Sequence, residues 1–195
     1  YYLNHINEIH APIWSEASNL GWFPHKYVTL DFEGKVLEGQ DELNEYMAEE
    51  VSDSLKEIHT DLVKNHPERE HIIDMAFRLH KDGNYIACIP LFLAQTDGIC
   101  AQQTKSYLFS DHDKRNEFIR DILKSKPKNA VILAPMLQST QFGASISKKS
   151  ESHKKRAPNR NGILHGSRKH LDYGTDINSL KCISLLAYIS TVFLY

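Results

Sequence analysis

Three residues within six positions carry the most legible chemistry of the 195-residue sequence. They are Arg160, Asn161 and His165, in the run Pro158-Asn159-Arg160-Asn161-Gly162-Ile163-Leu164-His165-Gly166. A guanidinium holds an anionic phosphate through paired N–H bonds, an amide orients it, and an imidazole titrates close enough to neutrality to take or give a proton. Those groups suffice to bind and cut a phosphodiester. The motif falls within the most basic part of the chain, from Lys148 to Arg168, with Lys148, Lys149, Lys154, Lys155, Arg156, Arg160 and Arg168 set against the single acid Glu151. Lys154, Lys155, Arg156 and Arg168 are candidate contacts to a nucleic-acid backbone, although a charge run by itself is more often a solvated face.

Pro158 and Asn159 read as the start of a helix. Arg160 and Asn161 then fall in its first turn, where free backbone N–H groups and the helix dipole favour an anion. His165 lies four residues after Asn161 and shares its face, whereas Arg160, five away, reaches around from the helix mouth. Gly162 costs roughly 1 kcal/mol relative to Ala inside a helix, which leaves the helix start loosely defined. His165, next to Leu164, also reads as an ordinary core histidine. Tyr173 either stacks on a base or closes the core. Asp97, in Gln95-Thr96-Asp97-Gly98, reads either as a carboxylate backing the site or as a helix end or satisfied buried polar group. His59, His66, His71 and His80 lack Cys or carboxylate partners at metal-ligand spacing, so neither a metal nor a cofactor is expected. There is no glycine-rich phosphate loop, no Gly-x-Ser-x-Gly and no Cys-His pair.

The elements that must position these residues are helical. Apolar spacing of three and four predicts a helix over 2–20 with a break at Pro12, then an aromatic, extended connection from Trp22 to Phe32 closed by Gly34 and Gly39. One long helix is expected over 40–65, another opened by Pro67, and a strongly apolar one capped by Asn84 that runs into the polar step at 95–98. A helix from Asp111, a short apolar stretch over 127–137, a polar loop over 138–157 and a closing apolar helix from Asp176 complete the pattern. The prediction is an all-α, multi-helix bundle: an N-terminal helical extension over 1–66 packed on a core domain over 67–195. A net charge of -2 and a charged share of 25% imply no strong overall field, so nucleic-acid binding must come from the local patch. Cys88, Cys100 and Cys182 read as reduced core residues of a cytoplasmic protein. The apolar run from Cys182 to Tyr195 is too short for the roughly 20 residues of a membrane helix. Because the chain opens on Tyr1-Tyr2 rather than Met, a trimmed start or a longer parent protein is expected.

Arg160-Asn161 followed by Ile163-Leu164-His165 resembles the Arg-x4-6-His motif of the HEPN superfamily, small all-α domains many of which are metal-independent ribonucleases. The polar residue after the arginine, the apolar pair before the histidine and the path from Asp172 to Lys181 into a final apolar helix all match. The stretch from Gly83 to Gly98 is similar to that of bacterial abortive-infection proteins. This resemblance implies a homodimer whose two motifs face a cleft for single-stranded RNA. Within it, His165 acts as base on the ribose 2′-OH or acid to the leaving oxygen, Arg160 holds the phosphate, and Asn161 orients the phosphate or the histidine. The products are then a 2′,3′-cyclic phosphate and a 5′-hydroxyl, and DNA resists. A defence or toxin role, with an antitoxin or sensor domain as partner, follows from the same resemblance. The alternatives are a catalytically silent HEPN-like module that binds RNA or a nucleotide or dimerises, and a plain helical interaction protein.

Overall fold

The computed structural model describes residues 2–28, 32–110, 112–138, 140–146 and 156–194, and among them the chain is all-helical, with no strand. Helices α1 (Tyr2–Asn19), α2 (Phe32–Glu38), α3 (Gln40–Asp53), α4 (Leu55–Asn65) and α5 (Glu70–Lys81) lead to the long α6 (Tyr85–Thr104). Then come α7 (His112–Ser125), the short α8 (Ala130–Leu133), the five-residue α9 (Arg160–Leu164) and the closing α10 (Asp176–Thr191). Short 3-10 turns at Pro67–Arg69, Pro127–Asn129, Ala134–Leu137, Gln141–Gly143 and Arg168–His170 join them.

The centre is the pair α6 and α10, which make the most extensive helix contact in the molecule. Both are apolar on nearly every side, as a helix surrounded by protein must be. Phe92, Leu93, Ile99, Ile183, Leu186 and Ile189 are fully buried in their seam, each worth roughly 1.5–3 kcal/mol of apolar transfer. Helix α5 packs on α6, α3 and α4 pack on α10, and α1 lies over α2, α8 and the Ala134–Leu137 turn. The buried apolar cluster runs without a break from Ala17, Trp22 and Leu43 through Phe92 to Ile189, so residues before and after position 66 share it.

Helix α10 also carries buried polar side chains, each reaching a different neighbour. Ser179 Oγ lies 2.9 Å from Nδ1 of His80 on α5, and Ser190 Oγ 2.9 Å from Nε2 of His66 after α4. The Ser184 hydroxyl donates to the Phe23 carbonyl and accepts from the Phe23 N–H. Lys181, 0% exposed, donates through Nζ to the carbonyls of Leu20 (3.0 Å) and Arg156 (2.6 Å). A buried polar group that is bonded specifies one packing partner where an apolar one accepts many. Burial pushes the His66 and His80 imidazoles below their usual value and the Lys181 ammonium down to about 7.

Several elements differ from the sequence expectation. Pro12 lies inside a continuous α1 and breaks nothing. Phe32 to Glu38 is helical, with Phe32 and Val36 turned into the core. The long helix expected over 40–65 is interrupted at Ser54, whose N–H still bonds to Glu50 and whose carbonyl still accepts from Ile58. Helix α6 runs straight through the polar step to Thr104. Cys88, Cys100 and Cys182 are buried and free. No described helix is long and apolar enough to cross a membrane.

Candidate functional site

Helix α9 is a self-contained turn and a half, closed at both ends by its own sequence. At the start, the Asn159 side-chain oxygen accepts from the Gly162 N–H at 2.6 Å, and its amide donates to the carbonyls of Gln141 (3.3 Å) and Ala144 (2.8 Å). One side chain thus caps the helix and anchors it to the 141–144 turn. At the end, Gly166 takes a left-handed φ of 62°, its N–H bonds to Ile163 O and the Ser167 N–H reaches back to Gly162 O. That is the Schellman arrangement, which glycine adopts without a Cβ penalty. Arg160 is therefore the first helical residue and His165 the C-cap.

Gly162, the departure that the sequence leaves loosely placed, is explained by packing. A Cβ there would come within 2.1 Å of the His170 ring. The imidazole lies flat on the glycine, and any larger residue would push the 168–170 turn away from the helix.

Arg160 points toward α6. Its Nη2 lies 3.1 Å from Asp97 Oδ2, its Nη1 donates to Asn161 Oδ1 at 3.1 Å, and its guanidinium carbon sits 5.7 Å from the centre of the Phe109 ring. Asp97 is 6% exposed and its other oxygen accepts from the Phe109 N–H at 3.3 Å. The Arg160 side chain remains 26% exposed. The arginine is thus fixed by a carboxylate, an amide and an aromatic face, and its Nε is buried without a hydrogen-bond partner. His165 is exposed, its N–H bonded back to Asn161 O at 3.1 Å.

The structure brings Asp97, Arg160 and Asn161 into one bonded group, with His165 at the far end of the same short helix. Asp97 lies mid-helix, and a tertiary ion pair answers it. His165 is not a core histidine. Tyr173 packs against the core, and its hydroxyl donates to Ile86 O at 3.0 Å. Pro90, four residues on, has no N–H to fill that carbonyl, so the tyrosine replaces the missing helical bond. That bond commits the ring to the fold. Arg168 is exposed on the 168–170 turn, while Arg156, half-buried, offers its carbonyl to Lys181. Lys154 and Lys155 lie outside the described residues. Among the described residues no group of three or more His, Cys, Asp or Glu side chains gathers that could hold a metal ion. Sequence reasoning missed Phe109 and His170; nothing in the spacing of either announces the contact.

Comparison with protein-family models, with curated proteins and with solved structures finds no match for this chain.

Proposed function

We propose that the protein is a metal-independent endoribonuclease of HEPN type, cutting single-stranded RNA as part of a bacterial defence or toxin system. One observation carries this reading: an arginine held in place from below by the buried Asp97, on a five-residue helix that ends in an exposed histidine. A fixed, partly exposed guanidinium can bind a phosphate and stabilise charge developing on it, and an exposed imidazole can exchange a proton with the 2′-OH or the leaving oxygen. Asn161, bonded to Arg160, orients the guanidinium. In this reading the protein acts as a homodimer, for which the exposed Leu164, Leu171 and Ile86 offer apolar surface.

A second reading, a silent RNA-binding or dimerisation module, draws on the same ion pair. Asp97 answers the charge that a phosphate would otherwise meet, so a resting Arg160 is partly satisfied without substrate.

The deciding experiment is incubation of the protein and its His165→Ala variant, in EDTA, with labelled single-stranded RNA and matching DNA. Cleavage of RNA alone, by the parent alone, with cyclic-phosphate ends, is expected. Salt-dependent RNA binding with no cutting by either protein would support the silent module instead.

A further inference from the structure

A second cavity lies away from helix α9. A cleft of about 470 Å³ opens between Trp14 on α1, the Pro24–Lys26 connection, the Pro127–Asn129 turn with Ile132, and the last turns of α10 at Tyr188, Thr191 and Val192. That volume is in the range of small-molecule sites. It contains neither Arg160 nor Asp97, Asn161 or His165, so the phosphodiester chemistry does not use it.

The lining has two characters. Trp14, Ile132 and Val192 form an apolar wall, and the Tyr188 hydroxyl is occupied by Ile132 O, so the tyrosine adds apolar surface. Lys26 and Lys128 supply positive charge, and no acid lines the cleft among the described residues. Lys26 is already bridged to Asp61 at 2.5 Å, which leaves the exposed Lys128 as the cation of greater weight. His25 forms part of the wall, and both of its ring nitrogens are buried without a hydrogen-bond partner. Burial lowers its pKa to about 4, so at neutral pH the ring is an uncharged donor and acceptor that the fold itself leaves unanswered.

We propose that this cleft binds a small aromatic carboxylate, its ring against Trp14, Ile132 and Val192 and its charge toward Lys128 and Lys26. A flat ring suits the apolar wall, and one negative group suits two cations with no acid among the described lining residues.

The test uses 1-naphthoate as probe, titrated into the isotope-labelled protein and followed by two-dimensional NMR. The expected result is a saturable shift of the Trp14 indole N–H and the Thr191 and Val192 amides, with Trp22 and the α9 amides unmoved. Lys128→Glu, a surface change that leaves the melting temperature unaltered, weakens naphthoate binding by about fivefold or more, the scale of one exposed charge contact. Neutral 1-naphthamide binds the parent and the variant equally. No shift at millimolar naphthoate, shifts centred elsewhere, or an affinity indifferent both to Lys128→Glu and to loss of the ligand's charge would overturn the assignment. None of these readouts depends on RNA cleavage.

Discussion

Two cations bracket the same stretch of backbone. Lys181 is fully buried, bonded to the carbonyls of Leu20 and Arg156 and lying 5.3 Å from the Trp22 ring centre. Arg160, four residues after Arg156, is partly exposed and paired with the carboxylate of Asp97. Neutral dipoles alone answer the lysine, so desolvation drives its pKa down to about 7. A full opposite charge answers the arginine, whose side chain still reaches solvent. The same type of charge therefore has two fates: the buried one ties α1 and the lead-in to α9 onto α10, and the partly exposed one is held by a carboxylate on α6.

That contrast can be broken by experiment, beginning where the effect is greatest. His165→Ala should lower RNA cleavage by about 10²–10⁴-fold, the usual share of a general acid or base, with an unchanged denaturation midpoint because the side chain is exposed. Cleavage by the variant at the parent rate would remove His165 from the site. Lys181→Ala should act in the opposite manner, costing about 2–5 kcal/mol in urea denaturation through a cavity and two buried carbonyls left without a donor. Its cleavage, where folded protein survives, should be near that of the parent.

Asp97→Asn sits between these extremes. Losing the charge partner of Arg160 should reduce cleavage by roughly tenfold or more and stability by about 1–3 kcal/mol. A rise in cleavage would instead mean that Asp97 restrains the arginine. The smallest effect concerns pH. Between pH 7 and the unfolded lysine value of about 10.4, the unfolded chain keeps a proton on Lys181 that the folded chain has released. Stability should therefore rise with pH, by roughly 1.5 kcal/mol from pH 7 to 8.5, and Lys181→Met should flatten that slope. Cys182 and Tyr188, both raised by burial, pull the other way at higher pH, which is why the window ends there.

The helical class, the closing helix and the run from Asn159 to Gly166 were legible from residue types. Asn159 at a helix entry follows from local chemistry, and the apolar seams of α6 and α10 follow from composition, whereas the end of α9 at Gly166 came from the structure. The polar step at 95–98 was less legible. Gln95 accepts from Arg69 at 2.8 Å, Thr96 donates back to Phe92 O at 2.8 Å, and Gly98 lies where a Cβ would meet the Arg69 guanidinium at 3.0 Å. Three of these four residues are accounted for by partners dozens of positions away, so a stretch that resembles a helix end is the middle of a buried helix. Phe32–Glu38 became helical for a similar reason, because Phe32 and Val36 gain core contacts that local turn signals do not register.

The sequence by itself determined what short-range forces decide: that most of the chain is helical, that a helix opens at Asn159, and that a guanidinium, an amide and an imidazole lie within six residues. Only the tertiary structure decided that Asp97 meets Arg160 across 63 positions, that Tyr173 fills the carbonyl freed by Pro90, and that burial lowers the Lys181 ammonium to about 7 while Arg160 stays in reach of solvent. The physical reason is that desolvation and hydrogen-bond partnership depend on what the rest of the chain places around a group, and spacing along the sequence does not contain that information.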